Sequence, residues 1–382
     1  MPRPGGPGHP SRARRSTDRE PRGIHRTART ARSAVYRGRV TTETHARLAA
    51  TYDDFGRRWA HGTSPLYEDW AIGIAQDDDL LSRLGALPKR LQQPNLVFAA
   101  SRWAGAPLAA FAEWSEWTKA HWTEVVAVGE ARTVQTNEAN RCATLLPVLS
   151  RIEGPVALLE TGAAAGLCRL PDRDSVDYDT PEGLRRIDPD TGPTPFSLAC
   201  ALDEVRSLPS RMPDVVWRQG IDLHPIDPAD PAAIDWLATL IWPGPDHDPR
   251  VARLRGAAAV AASDPPPILQ GDILEVLPDV AAQAPADATL VVFHSAVLLY
   301  LDAEQRERFA RIVGGLGDLL GRPVVWLSNE TRGTLAAIDA QLPVDAVTSG
   351  RFVQTVDGRP VALAGQHGAV YETAPFGALR TA

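Results

Sequence analysis

The chain has 382 residues, enough for two domains or for one large domain with an appendage. Its 44% hydrophobic and 23% charged side chains are ordinary for a soluble globular protein. Three cysteines without a CxxC or Cys/His cluster exclude a disulfide framework and structural zinc, and no apolar run nears the roughly 18 residues of a membrane span.

Charge is uneven along the chain. Residues 1–45 hold eleven arginines against Asp18, Glu20 and Glu43, while the remainder holds 29 basic and 44 acidic side chains. The first 45 residues nearly lack large apolar side chains, so they are expected to be a disordered Arg-rich tail. Such a tail suits nucleic acid or an acidic partner, or is an idle extension, or translated GC-rich text. The acidic body disfavours general nucleic-acid binding. Residues 46–150 are expected to form a helical domain. Leu48, Tyr52, Phe55 and Trp59 recur at helical spacing, followed by Leu66, Trp70 and Ile74, then Leu80, Leu81 and Leu84, then Phe111, Trp114, Trp117 and Trp122.

From 151 to 382 the pattern changes to α/β. Apolar runs at Val156–Leu159, Val215–Trp217, Ile268–Leu269, Leu290–Phe293 and Val324–Leu327 suit strands buried on both faces of a parallel sheet. Helical stretches at 232–241, 249–262 and 303–321 separate them, which implies right-handed crossovers and a doubly wound sheet. Phe352–Val356, Asp357-Gly358 and Pro360–Leu363 spell an antiparallel hairpin with a tight turn.

The first strand ends in Leu159-Glu160-Thr161-Gly162-Ala163-Ala164-Ala165-Gly166. Small residues there let a ligand approach the backbone, and a helix starting after them would present free N–H groups. A dinucleotide fingerprint fails at Leu167, where a third glycine belongs, and no Walker lysine follows. Asp222 closes the second strand, where an acid can accept two ribose hydroxyls. Asp272 follows the third, with Ile273 beside it to pack on a base. Each acid is also a typical helix N-cap or Asx turn. Three acids at three successive strand ends nonetheless lie where open α/β sheets bind ligands.

These segments resemble the cofactor motifs of class I S-adenosylmethionine-dependent methyltransferases, whose Rossmann-like sheet also ends in an antiparallel hairpin. The resemblance covers roughly 156–372. It implies that Glu160 approaches the methionine amino group over Gly162, Ala164 and Gly166, that Asp222 holds the ribose, and that Asp272 and Ile273 frame the adenine. It departs between Gly166 and Asp222, where the family's two motifs lie much closer, so residues 172–214 read as an insertion. From about Tyr52 the chain also resembles a bacterial family known only as a domain of unknown function. The carrying segments are 52–59, Gln135–Glu138 with Arg141, Gly220–Asp227 and Val292–Ser295. Position 224 is typically Asn in that family and is His224 here, which argues against an essential histidine ligand.

His294 ends the fourth strand, and its side chain suits a catalytic base or a residue that only lines the cofactor. Asn329 and Glu330 end the fifth strand. Gln135, Asn137, Glu138 and Arg141 form a polar segment able to cross the cleft toward substrate, or to cap a helix within a buried hydrogen-bond network. Transfer of a methyl group from S-adenosylmethionine to a small molecule or protein is the leading expectation, without a metal and in the cytoplasm. A non-catalytic nucleotide or metabolite binder that keeps the fold is the alternative. The glycine loop is expected at the sheet surface, so that Gly162→Val should leave the fold intact.

Overall fold

Five parallel strands form one side of an eleven-stranded sheet in a computed structural model that describes residues 41–373 apart from 266, 345, 347 and 349. The strands are β1 (Pro155–Thr161), β2 (Ser175–Thr180), β3 (Gly183–Ile187), β4 (Ser197–Leu202), β5 (Asp214–Asp222), β6 (Ile268–Gln270), β7 (Thr289–Ser295), β8 (Val324–Glu330), β9 (Arg351–Val356), β10 (Arg359–Gly365) and β11 (Val370–Thr373). Their spatial order is β3-β2-β4-β11-β10-β9-β8-β7-β1-β5-β6. The block from β6 to β8 is parallel throughout, and β9 and β10 continue it as an antiparallel meander. Asp357 and Gly358 both take positive φ, 51° and 73°, as the tight turn between them requires.

The mixed α/β architecture is as the sequence indicates, and the region 172–214 adds an unexpected element. It supplies β2, β3 and β4, which join the sheet beyond the meander through β11. The insertion therefore widens the sheet. It does not stand apart as a lobe.

Among the described residues there are twelve α-helices: α1 (Thr42–Asp54), α2 (Pro65–Ile74), α3 (Asp78–Gly85), α4 (Pro94–Trp103), α5 (Phe111–Ala120), α6 (Trp122–Ala131), α7 (Cys142–Leu149), α8 (Pro231–Leu240), α9 (His247–Ser263), α10 (Ile273–Ala281), α11 (Ala303–Leu320) and α12 (Ala336–Asp339). Side chains of β1 alternate between two cores, as a strand period of two dictates. Val156 and Leu158 pack with α7, α8 and α9. Ala157 and Leu159 pack with α10 and α11. Buried on both faces, the strand reads as an unbroken apolar run.

The helical block has a third core around Tyr67, Trp70, Phe98 and Trp114. Trp70 and Trp114 stack at 4.7 Å between ring centroids. Trp114 Nε1 donates to Ser101 Oγ at 3.0 Å. The expected stripe of α1 stops one residue short. A π-helical segment, Phe55–Ala60, follows α1 directly. Its wider turn rotates the next position off the buried face, and Trp59 is 50% exposed. The block is tied to the sheet's helices through Arg102, whose Nη1 donates to the carbonyls of Thr239 at 2.7 Å and Ile241 at 2.9 Å. Those are end-of-helix carbonyls of α8 that lack intrahelical partners.

The tail expected over 1–45 lies outside the described residues as far as residue 40. Residues 42–45 are already the first turn of α1, capped by Thr41 Oγ1 accepting from the Thr44 amide. Cys142, Cys168 and Cys200 are buried free thiols. Among the described residues no helix is long and apolar enough to cross a membrane.

Candidate functional site

The order of strand addition reverses at β1: β5 and β6 build outward on one side, β7 and β8 on the other. In open α/β sheets the crevice outside the carboxyl ends at such a switch point is where ligands bind. The two-residue period then sorts the candidates by face. Glu160 and Asp222 follow Leu158 and Gly220 toward α7–α9, whereas His294 follows Leu290 and Val292 toward α10 and α11.

The glycine loop is packed and hydrogen-bonded into the fold. Gly162, Ala164 and Gly166 have φ of 74°, 49° and 71°. The Gly162 amide donates to Ile221 O at 2.8 Å, and the Ala164 amide donates to Asp222 Oδ2 at 2.8 Å. The expected helix does not follow. Leu167–Arg169 is one 3-10 turn leading into β2, and the Leu167 amide donates to Asn137 Oδ1 at 3.0 Å. A Cβ on Gly162 would meet Val297 Cγ2 at 2.4 Å, and one on Gly166 would meet the Arg169 guanidinium at 2.1 Å. Ala163 to Arg169 are buried. The expectation that the loop is a surface feature is thereby corrected: the insertion, α7 and α9 cover it.

Beneath the loop, fully buried Arg169 lies 3.6 Å from Glu160 and donates to Pro267 O at 2.7 Å. Burial pushes the Glu160 carboxyl well above the usual carboxylate range. Asp222 is the hub of the loop. Besides Ala164 it accepts from the His224 amide at 2.7 Å and from Gln135 Nε2 at 3.4 Å. Asp272 is exposed and caps α10 by accepting from the Leu274 amide at 2.9 Å, with Ile273 buried behind it.

His294 is fully buried with both ring nitrogens engaged. Trp326 Nε1, which can only donate, gives its proton to His294 Nε2 at 3.0 Å, so Nδ1 carries the ring proton and faces Glu330 Oε1 at 2.8 Å. The same oxygen accepts from the amides of Val297 and Leu298. Glu330 and His294 thus fix the turn that places Val297 against Gly162. Asn329 Nδ2 donates to Ser295 Oγ at 3.2 Å, and Asn329 Oδ1 accepts from Gln354.

The segment 135–141 crosses several strand ends. Gln135 reaches Asp222 and the carbonyl of His224, and Asn137 reaches the glycine loop. Asn140 Nδ2 donates to Ala199 O in β4 and to His367 O in the β10–β11 turn. Arg141 donates to Gln366 O at 2.9 Å and Ser295 O at 3.2 Å, with its guanidinium 5.3 Å from the Phe352 ring centroid. Glu138 accepts from Arg250 Nε at 2.8 Å and lies 3.7 Å from Arg253. The Gly368 backbone presses so closely that a Cβ would sit 2.1 Å from Asn140 O, and its φ is 75°. Arg169, Arg250, Arg253 and His367 were not legible as site residues. Arginine is so abundant in this chain that single arginines stand out nowhere. The spacing Arg250-x-x-Arg253 on one face of α9 is the only local signal.

A family model described as "Uncharacterized protein conserved in bacteria (DUF2332)" matches residues 49–106 and 102–372. The chain belongs to this family. No curated protein matches, and no solved structure matches. Every residue placed above at the carboxyl edge of this DUF2332 protein, from Gln135 to His367, lies within the second matched stretch.

Proposed function

We propose that this DUF2332 protein is an S-adenosylmethionine-dependent methyltransferase acting on a small molecule or protein at the carboxyl edge of β1, β5 and β7. The observation that carries the reading is the joining of the glycine loop to the acid of the neighbouring strand through the Ala164–Asp222 hydrogen bond, inside a parallel block followed by an antiparallel strand.

The residues fit such a cofactor at Asp222. A carboxylate has about four lone-pair sites, and Asp222 Oδ2 has one protein donor, Ala164, leaving capacity for a ribose hydroxyl. When bound, the cofactor supplies an electrophilic methyl group on a sulfonium. The protein's part is alignment, which alone lowers the barrier to transfer. Glu330 and His294 hold the 295–298 turn, Gln135 orients Asp222, and Asn137 steadies the loop.

A second reading, a nucleotide or metabolite binder without transfer chemistry, is favoured by one feature: the His294 lone pair that would take a proton already accepts the Trp326 indole N–H. Calorimetric titration with S-adenosylmethionine and S-adenosylhomocysteine, then mass spectrometry of a small-molecule extract incubated with the protein, separates the readings. Saturable binding with a product heavier by one methylene supports transfer. Binding without product leaves the binder, and no binding of either compound defeats the cofactor assignment.

A further inference from the structure

We infer that Arg141, Arg250, Arg253 and His367, gathered by segment 135–141, α9 and the β10–β11 turn, form a binding site for the carboxylate or phosphate group of a small anionic ligand. Arg250 and Arg253 share one acid, Glu138, and Arg141 lies close enough to act with them on the His367 imidazole. Arg250 holds Glu138 at 2.8 Å, while Arg253 is 3.7 Å away. Arg253 Nε is buried and has no hydrogen-bond partner among the described residues. Arg141 is 6% exposed and donates to two carbonyls beside an aromatic ring, with the buried Glu160 carboxyl near enough to feel its charge. Cations taken out of water are costly without counter-charges. A planar guanidinium fork is matched to carboxylate and phosphate oxygens.

His367 reports the surplus charge. Burial, together with Arg250, Arg141 and Arg253, holds its imidazole down at about 3. The charged groups that act on it are these three arginines. Arg141 also contacts the end of β7 through Ser295 O. The site therefore borders the switch-point crevice, and a ligand lying in the crevice can place an anionic end against the arginines. The inference rests on reading the carboxyl edge as a ligand site and not on the identity of the cofactor.

The test uses the full chain. Inorganic phosphate and succinate are each titrated by calorimetry at constant ionic strength, against Arg253→Gln and, as an exposed control, Arg308→Gln. Saturable binding of at least one anion is expected, weakened about tenfold or more in Arg253→Gln and unchanged in the control. The better-bound anion tells carboxylate from phosphate. A second readout needs no variant: sulfate, an anion throughout the titration, should raise the NMR titration midpoint of His367 by about one pH unit by offsetting the arginines. Absence of saturable binding, equal binding by Arg253→Gln, or an unmoved His367 midpoint overturns the inference. Titrating S-adenosylmethionine beside these probes keeps the two readings apart, since cofactor binding without anion binding sinks this site alone and the converse sinks only the cofactor.

Discussion

Val297 occupies the space that any side chain at Gly162 would need, with Cγ2 2.4 Å from the position of a Cβ. Val297 is held there by its own amide, which donates to Glu330 at 2.9 Å, so the contact joins the ends of three strands, β1, β7 and β8.

Gly162→Ala should therefore destabilise the protein. The left-handed backbone costs a non-glycine residue about 1–2 kcal/mol, and displacing Val297 adds to it. The same substitution made with Val297→Ala should recover part of the loss, because the two positions are coupled. Urea unfolding of the four members of the cycle measures this, and strict additivity would refute the contact as the cause.

Asp222→Ala leaves the amides of Ala164 and His224 without their charged acceptor. A stability loss of about 2–4 kcal/mol is expected from two such bonds. S-adenosylmethionine binding should also weaken roughly tenfold to hundredfold. Asp222→Asn, which keeps one acceptor oxygen, should lose less on both counts. If stability falls while affinity for the cofactor is untouched, Asp222 serves the loop alone.

Two buried groups should set opposing pH dependences. His367 is held at about 3, below its unfolded value of 6.5. The unfolded chain takes up that proton first, so the His367 contribution is complete above pH 6.5 and is lost as pH falls toward 3. Asp174 is pushed up to about 7 by burial and by Asp172, from 3.8, and both its oxygens lack hydrogen-bond partners among the described residues. Its contribution is complete below 3.8 and is lost as pH rises through 7. Each slope is at most about 1.4 kcal/mol per pH unit, and between pH 4 and 6.5 they offset. Asp174→Asn should expose a stability that rises with pH in that window, and His367→Gln one that falls. Chemical denaturation at half-unit pH steps checks both signs.

Arg102→Met should loosen the helical block from α8. It removes donors to the Thr239 and Ile241 carbonyls and to Tyr67 Oη at 3.0 Å. A loss of about 2–3 kcal/mol is expected. Hydrogen exchange should accelerate selectively at the carboxyl end of α8 and in α4. Uniform acceleration across the chain would point to global destabilisation instead.

The parallel strands were legible because residues such as Val156–Leu159 are apolar on both faces and interrupted by helical periods. The hairpin was legible through Asp357-Gly358. β2 and β4 were not, although Val176 and Tyr178, and Leu198, Cys200 and Leu202, alternate with more exposed positions. Prolines and aspartates made the region read as an insertion, with no strand assigned in it. At the site, the acids at strand ends could be located, but not their partners. Asp222 meets Gln135 and Glu138 meets Arg250 across many intervening residues, and such pairings leave no local period. The missing helix after Gly166 has a similar origin: local spacing cannot show that the chain turns away into β2.

The two margins of the sheet also bear on how this protein behaves at high concentration. A flat exposed strand recruits other chains, because its free N–H and C=O groups invite pairing. One margin is β6, three residues long and preceded by Pro267. The other is β3, an exposed hairpin strand carrying Arg185 and Arg186. Short length and a proline at one side, with positive charge at the other, make both poor templates for a second molecule. The added strands β2–β4 thus move the outer boundary away from the apolar meander to a short strand bearing charged side chains, a poorer template for edge-to-edge pairing.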